Sequence, residues 1–363
     1  MSGVLTDTRA GHEFDLVSLG EVLLRLDPGE GRIRDARTFE AHVGGGEFNV
    51  AFAVSNCFEL RTGVVTALAD NEVGALMSSL IRQGGVDTSL IQRRDDGGTG
   101  IGARNGLNFT ERGFGVRPAY GVSDRAFSAA ARLAPGEVDW DDLFRRRGVR
   151  WFHTGGVFTA LSPSSAALTL EAVRAAKSHG VTVSYDVNFR PSLWRALADP
   201  ADHAATTREI FRYVDVLISN EPEYLLSVGE TVVDASDAQA ERFLRMVERA
   251  RKDFPNIALM AATQRTMRSA SVNDWGAIAW SDRTGVVHSS VRERLDILDR
   301  VGAGDSFVAG LAYGLLTGAE LSWALELGVA HGALVMTTPG DTSSARRTEV
   351  EALAAGSGIR AVR

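Results

Sequence analysis

The sequence predicts an α/β fold: a mainly parallel sheet covered by helices on both faces, with a small β-sheet lid attached. Three observations carry this. From residue 149 onward, short apolar runs alternate with helical periods, which is how a parallel sheet with crossover helices reads. Two Gly-rich turns, Gly44-Gly45-Gly46 and Gly302-Ala303-Gly304, each run straight into a helical apolar pattern. Two charged, Gly-containing segments, 23–43 and 93–118, show little helical periodicity and interrupt the N-terminal half.

Residues 14–20 (FDLVSLG) form a short apolar run ending in glycine and predict the first buried strand. Residues 23–43 are broken by Pro28, Gly29 and Gly31, so they predict hairpin or edge strands outside the core. Residues 44–49 open a helix through Ala51, Ala53, Val54 and Phe58. Gly45 and Gly46 let a ligand approach the backbone there, and Asn49 can hydrogen-bond a hydroxyl. Residues 63–69 predict a strand and 74–84 an amphipathic helix. Residues 93–118 predict further strands of the outlying sheet, with Arg104, Asn105, Asn108, Arg112 and Arg117 as polar candidates for substrate contact. The expected division is an α/β body of residues 14–22, 44–92 and 119–355, and a lid of 23–43 and 93–118.

In the C-terminal half, strands are expected at 149–154, 181–187, 214–219 and 257–263, with helices at 163–179, 222–228 and 235–253. Ligands in such sheets bind beyond the carboxyl ends of the strands. Two polar clusters fall there, Asp186-Val187-Asn188-Phe189-Arg190 and Asn220-Glu221-Pro222-Glu223. Residues 271–280 with 285–288 predict a hairpin. Residues 321–336 predict a helix rich in small residues, including Ala330 and Ala333. Its composition suits either one wall of a flat pocket for an adenine ring or a tight helix–helix contact.

The stretch from Asp299 to Phe307 (DRVGAGDSF) is the one around which the rest is organised. Backbone N–H groups of a first helical turn lack intrahelical partners, and the helix dipole adds positive potential, so Gly302, Ala303 and Gly304 offer an anion site. Asp305 follows in the first turn as a candidate general base, or as a simple cap. Only Lys177 and Lys252 are lysines, and neither follows a glycine. A phosphate-binding loop with a Gly-Lys-Ser/Thr step is therefore excluded, leaving backbone N–H groups, arginines and metal for any phosphate. HExxH, paired Cys/His clusters, G-x-S-x-G and a dinucleotide fingerprint after the first strand are all missing from the sequence. The net charge of −7 without a basic run argues against a nucleic-acid partner. The polar start of the chain, the lack of a membrane-length apolar window and the single Cys57 lead us to expect a soluble cytoplasmic protein.

With these motifs in place, the chain resembles the ribokinase/PfkB family of carbohydrate kinases over about residues 14–355. The resemblance rests on Gly44-Gly45-Gly46 with Asn49, on Asn220 and Glu223 as an NxxE motif, and on the Gly302-Ala303-Gly304-Asp305 signature, in that order. It implies a ribokinase-like three-layer sandwich with a β-sheet lid, ATP and Mg²⁺ as cofactors, and a sugar or sugar acid as acceptor. By the same resemblance Asp305 is the base and Gly302, Ala303 and Gly304 the anion hole. Gly45, Gly46, Asn49, Arg104 and Arg190 are then the acceptor-side residues. Asn188, Asn220, Ala330 and Ala333 fall to the nucleotide, and Glu223 to Mg²⁺. K⁺ is a further cation of interest beside Asp299, where Arg300-Val301 stand in place of the two threonines of many members. The segments 105–113, 186–190, 273–277 and 299–302 are similar to those of 2-keto-3-deoxygluconate kinases, with a fructokinase or other hexose kinase as the alternative. Outside the enzyme class, a non-catalytic sugar- or nucleotide-binding protein is the alternative. An exposed lid edge suggests a homodimer paired through it.

Overall fold

The computed structural model describes residues 11–99, 101–196, 199–232 and 237–357. The chain opens with β1 (Phe14–Leu19), then leaves the body for β2 (Leu23–Asp27) and β3 (Glu40–Gly44) before α1 (Gly46–Asn56). β4 (Thr62–Ala69), α2 (Glu72–Gln83) and β5 (Ile91–Arg94) return to it, and β6 (Gly106–Glu111) and β7 (Tyr120–Asp124) leave again. From β8 (Val149–Gly155) the alternation is regular: α3 (Gly156–Thr159), α4 (Pro163–Ser178), β9 (Thr182–Asp186), α5 (Pro191–Ala196), α6 (Pro200–Phe211), β10 (Val216–Ile218), α7 (Glu221–Ser227), α8 (Gln239–Asp253) and β11 (Leu259–Ser269). β12 (Val272–Ser281), β13 (Gly285–His288) and β14 (Arg292–Asp296) precede α9 (Ala303–Leu316), α10 (Leu321–Val335) and α11 (Arg347–Ala354).

The large sheet runs β13-β12-β11-β10-β9-β8-β1-β4-β5, with β14 also pairing β12. It is parallel from β5 through β11, and β12 turns back antiparallel along β11. The small sheet runs β3-β2-β6-β7. An α/β sandwich with a mainly parallel sheet and a separate small sheet is thus the observed architecture. Apolar clusters occupy both faces of the large sheet: Phe152, Leu168, Phe211 and Met260 belong to one, and Leu16, Trp151, Phe307 and Leu325 to the other. Among the described residues no helix is long and apolar enough to cross a membrane.

Local chemistry sets the helix starts. Asn71 caps α2 by accepting the Gly74 N–H at 3.0 Å, so the helix begins two residues before the first apolar repeat. Ser162 and Ser165 form a reciprocal cap on α4, with Pro163 at the first position. Four boundaries differ from expectation. β11 continues to Ser269 because β12 pairs along it, and the Ala270 N–H beyond it bonds the Gly115 carbonyl of the small-sheet region at 2.9 Å. β5 joins the large sheet beside β4, and β7 adds a fourth strand to the small sheet past residue 118, because Tyr-Gly-Val-Ser-Asp pairs antiparallel along β6. α8 begins at Gln239, and residues 235–236 of the expected helix lie outside the described residues.

α9 and α10 pack through their small residues. A side-chain carbon at Gly310 would lie 2.7 Å from the Leu327 carbonyl oxygen, and one at Gly314 would lie 2.6 Å from the Ala324 side chain. Contact this close is what allows α9 to be buried almost throughout, apart from Gly304 and Asp305 in its first turn.

Candidate active site

α9 starts from Gly302, whose φ of 80° is left-handed. A side chain there would collide with the Asp341 carbonyl oxygen, so glycine alone fits. Gly304 faces open space on its side-chain side, leaving the second position of the helix accessible. Asp305 follows at the third. Its Oδ2 accepts a hydrogen bond from Asn49 Nδ2 at 2.6 Å, delivered from α1. Burial pushes the Asp305 carboxyl up to about 7. The Asn49 hydrogen bond pulls the other way, Asp341 adds to the rise, and Arg190 opposes it.

The turn between β3 and α1 completes this wall. Gly45 has φ 147°, and a side chain on it would strike the Glu21 carbonyl oxygen. Gly46 lays its backbone against the same group: a side-chain carbon would sit 3.4 Å from Asn188 Nδ2 and 3.7 Å from Asp305 Oδ1.

Opposite stand the ends of β9 and β10. Asp186 closes β9, and its Oδ1 accepts the Asn188 N–H at 3.2 Å, which helps hold Asn188 at φ 36°. Burial, then Glu223 and Asp305, hold the Asp186 carboxyl well above the usual carboxylate range. Asn220 caps α7, accepting the Glu223 N–H on Oδ1 at 3.0 Å. Glu223 thereby sits in the first turn of α7 and lines both cavities. Among the described residues no three His, Cys, Asp or Glu side chains gather into a metal cage. A cation here would rest on one or two carboxylates and on ligand oxygens.

These groups line a cavity of about 770 Å³ between the two sheets, with Asn108, Thr110, Tyr120, Ser123 and Arg125 on the small-sheet side. A second cavity of about 440 Å³ adjoins it and shares Asn188, Arg190, Asn220, Glu223 and Gly304. Arg265 and Arg300 line both. Partial desolvation and then the like charge of Arg300 make the Arg265 guanidinium a weaker base than usual.

Of the residues singled out from sequence, Gly45, Gly46, Asn49, Asn188, Arg190, Asn220, Glu223, Gly302, Ala303, Gly304 and Asp305 all line one or both cavities. Three do not. Arg104 is held away by Asp124, to whose carboxylate it pairs at 2.6 Å and whose carbonyl it also meets at 3.2 Å. Ala330 and Ala333 are 0% and 5% exposed. Ala330 packs with Phe58 and Tyr313, and Ala333 belongs to the apolar cluster containing Trp275 and Ala303, so the small residues of α10 serve packing rather than a ring pocket. Among the other small-sheet candidates, Asn108 lines the large cavity. Asn105 instead accepts the Ala69 N–H at 2.9 Å, Arg112 pairs with Asp27 at 3.1 Å, and Arg117 is exposed.

Sequence reasoning missed Arg265, and also Arg125 and Arg25 with their partners. Arg125 lines the large cavity, aimed by buried Glu21 through bonds of 2.7 and 2.5 Å, with the Ser128 hydroxyl on the other Glu21 oxygen at 2.7 Å. Arg25, on β2, is buried among Asp27, Asp299 and Asp341. Glu47, next to the Gly46 turn, is a third buried group. Burial raises its carboxyl to about 7, against opposing backbone bonds from its own N–H and that of Phe158.

Comparison with known proteins gives a consistent result. The family described as pfkB family carbohydrate kinase matches residues 14–250 and 274–348. A 2-dehydro-3-deoxygalactonokinase of Haloferax volcanii is 30% identical over 343 residues, covering 94% of this chain and 97% of that protein. A 5-dehydro-2-deoxygluconokinase of Bacillus licheniformis is 27% identical over 327 residues, 90% of each chain. The crystal structure of 2-dehydro-3-deoxygluconokinase from Thermotoga maritima superposes with a TM-score of 0.82 at 32% identity, covering 94% of this chain and 99% of that one.

Proposed function

The chain belongs to the pfkB family of carbohydrate kinases, and on that premise we propose that it transfers the γ-phosphoryl group of ATP to a hydroxyl of 2-keto-3-deoxygluconate (2-dehydro-3-deoxy-D-gluconate). The observation that carries this is Asp305. A carboxyl raised to about 7 stands in the first turn of α9, next to Gly304, whose side-chain position is open space, and bonded to Asn49. A general base works best with a pKa near the working pH.

In this reading the acceptor lies in the larger cavity under the small sheet, which acts as a lid that excludes water. The phosphate chain of ATP lies in the adjoining cavity against Arg265 and Arg300. Asp305 takes the proton of the acceptor hydroxyl as its oxygen bonds to the γ-phosphorus and the bond to the ADP oxygen breaks. The N–H groups at Gly302, Ala303 and Gly304 stabilise charge on the transferred group. The loss of one such donor costs about 3–4 kcal/mol of barrier in comparable sites. Asn188 and Asn220 contribute amides to the nucleotide side. Glu223, with Asp186 behind it, supplies the hard oxygen donors that suit Mg²⁺, which would offset phosphate charge when bound. Arg190 and Arg125 both line the larger cavity and are our candidates to bind the acceptor carboxylate, which a fork of N–H donors holds with two parallel bonds.

Those two arginines favour a sugar acid over a neutral hexose, in keeping with the substrates named for the relatives. 5-Dehydro-2-deoxygluconate is a second reading, favoured by the Bacillus licheniformis relative. ADP release over 2-keto-3-deoxygluconate, its galactonate epimer, 5-dehydro-2-deoxygluconate, fructose and ribose, each with Mg-ATP, tests the assignment. Highest kcat/KM with 2-keto-3-deoxygluconate supports it; preference for fructose would overturn the acid-binding role. No release with any acceptor would leave a sugar- or nucleotide-binding protein. A cytoplasmic setting suits both ATP and the single thiol of Cys57. The exposed edge strand β7, with Tyr120 and Val122 outward, is where a second copy would pair.

A further inference from the structure

β2 carries Arg25 from the small sheet into the seam behind the Gly302 turn, where its side chain is 0% exposed. Nη2 donates to Asp27 at 2.9 Å and to Asp299 at 2.5 Å, and Nη1 donates to Asp341 at 2.5 Å. Both acids beyond β2 shape the turn. Asp299 Oδ1 accepts the Val301 N–H at 3.1 Å and Oδ2 the Gly340 N–H at 3.3 Å. The Asp341 carbonyl is the atom that forces glycine at position 302. The two loops that set the direction of the Gly302, Ala303 and Gly304 amides therefore converge on a single guanidinium.

Two carboxylates buried side by side stay ionised together only when a cation lies between them; otherwise one of them keeps its proton. The family resemblance directs attention to K⁺ beside Asp299, but the residues of this chain do not fit it. One oxygen of Asp299 and one of Asp341 are already held by Arg25, the other Asp299 oxygen accepts the Val301 N–H, and Arg300 and Val301 bring no hydroxyl to the place. We propose that Arg25 is the permanent cation of the phosphate-binding turn, so that turnover does not depend on a monovalent metal. Arg25 meets no reacting atom; it is a positioning residue, fixing the two loops so that the turn keeps its aim. Its position on β2 also ties the small sheet to that turn.

The turnover part of this inference rests on the kinase reading; the stability part does not. The experiment compares K⁺, Na⁺ and tetramethylammonium chlorides at equal ionic strength, following ADP release and the thermal midpoint. For the unaltered protein, rates within about twofold and equal midpoints are expected, since no exchangeable ion is bound to the folded state. Activation of about tenfold or more by K⁺, or a midpoint raised by K⁺ alone, would overturn the proposal. Arg25→Ala opens the site. In tetramethylammonium its kcat should fall about 100-fold with little change in acceptor KM, the scale of a misaimed anion hole. K⁺, or guanidinium at tens of millimolar, should restore part of kcat, and K⁺ should now raise the midpoint. Full activity of Arg25→Ala in tetramethylammonium would refute the positioning role. Should that variant not fold, Arg25→Lys is put through the same series. Its single ammonium cannot span both acids, so a K⁺-dependent midpoint is expected and an indifferent one would count against the proposal. If the unaltered protein transfers no phosphoryl group under any salt, the kinase reading fails, while the midpoints still decide the role of Arg25.

Discussion

Asp305→Asn separates the chemistry of this site from its stability, and the pH dependence makes the test sharp. An ordinary aspartate sits at 3.8, and burial holds Asp305 near 7 in the folded chain. The folded state thus binds this proton more tightly than the unfolded state does. The associated stability is fully present below about pH 4 and is lost as pH rises to 7. Between pH 5 and pH 7 the slope is about 1.4 kcal/mol per pH unit, which gives about 2–3 kcal/mol between pH 5 and pH 8. Solvent at the partly exposed carboxylate screens the effect towards the lower figure. The amide of the variant cannot ionise, so relative to the unaltered protein Asp305→Asn should gain stability from pH 5 to pH 8 by that amount. Asp186 and Glu47 remain in both proteins; the Asp305 charge helps hold both up, so its loss adds to the gain at high pH rather than offsetting it. Urea unfolding at the two pH values measures the difference. In parallel, ADP release should fall by about 10²–10⁴-fold, the range for loss of a general base, while acceptor binding by calorimetry persists. A stability difference that does not change with pH would refute the buried-carboxyl argument, and near-normal turnover would refute the base assignment.

Asn49→Ala removes the 2.6 Å bond that favours the ionised Asp305, so the acidic limb of kcat/KM should move to higher pH; an unmoved limb would mean the bond does not tune the base. Arg190→Ala should raise KM for 2-keto-3-deoxygluconate by about tenfold or more, the loss of a charge-assisted pair, and leave a neutral hexose little changed. Equal effects on both acceptors would remove the carboxylate-reading role. Gly328→Ala puts a carbon 2.7 Å from the Phe307 carbonyl oxygen and 2.8 Å from its ring. Overpacking of this kind costs about 1–3 kcal/mol, and the thermal midpoint should drop with acceptor KM held; an unchanged midpoint would show that α9 and α10 can part freely.

Local signals made much of this molecule legible. The apolar runs at β1, β4 and β8 through β11, and the glycines before α1 and α9, report their own surroundings through propensity and period. Asn49 and Asp305 were identified because each follows such a glycine turn. Arg125 and Arg104 show why the rest was not. Both lie in polar stretches without periodicity, and what separates them is which acid each meets. Arg104 finds Asp124, whereas Arg125 finds Glu21, 104 positions away, and is thereby aimed into the cavity. No local pattern encodes such a meeting. Ala330 and Ala333 mislead for another reason: small residues on a helix suit a flat ligand and a neighbouring helix alike, and the glycines of α9 decide for the helix.

The way the small sheet joins the body bears on why the site has this form. Leu24 and Val43 of the small sheet pack with Phe48 and Met77 of the body, and ionic ties add to this contact: Arg25 reaches Asp299 and Asp341 across 274 and 316 positions, and Arg125 meets Glu21 just past the end of β1. Buried ion pairs add little net stability, because desolvation offsets most of their attraction, and apolar residues of similar volume often hold a fold as well. What apolar packing does not supply is direction. A guanidinium fixes its acids at set distances and angles, and here those acids fix the turn from which Gly302, Ala303 and Gly304 project. Removing one partner leaves the others buried without compensation, at about 3–5 kcal/mol, so the seam resists partial loosening. Catalysis by oriented amides depends on placement at the scale of a few tenths of an ångström. A charged seam next to the turn therefore makes physical sense as a device for aim rather than for strength, and it locates part of the sensitivity of the site in Arg25, which is fully buried and never meets the substrate.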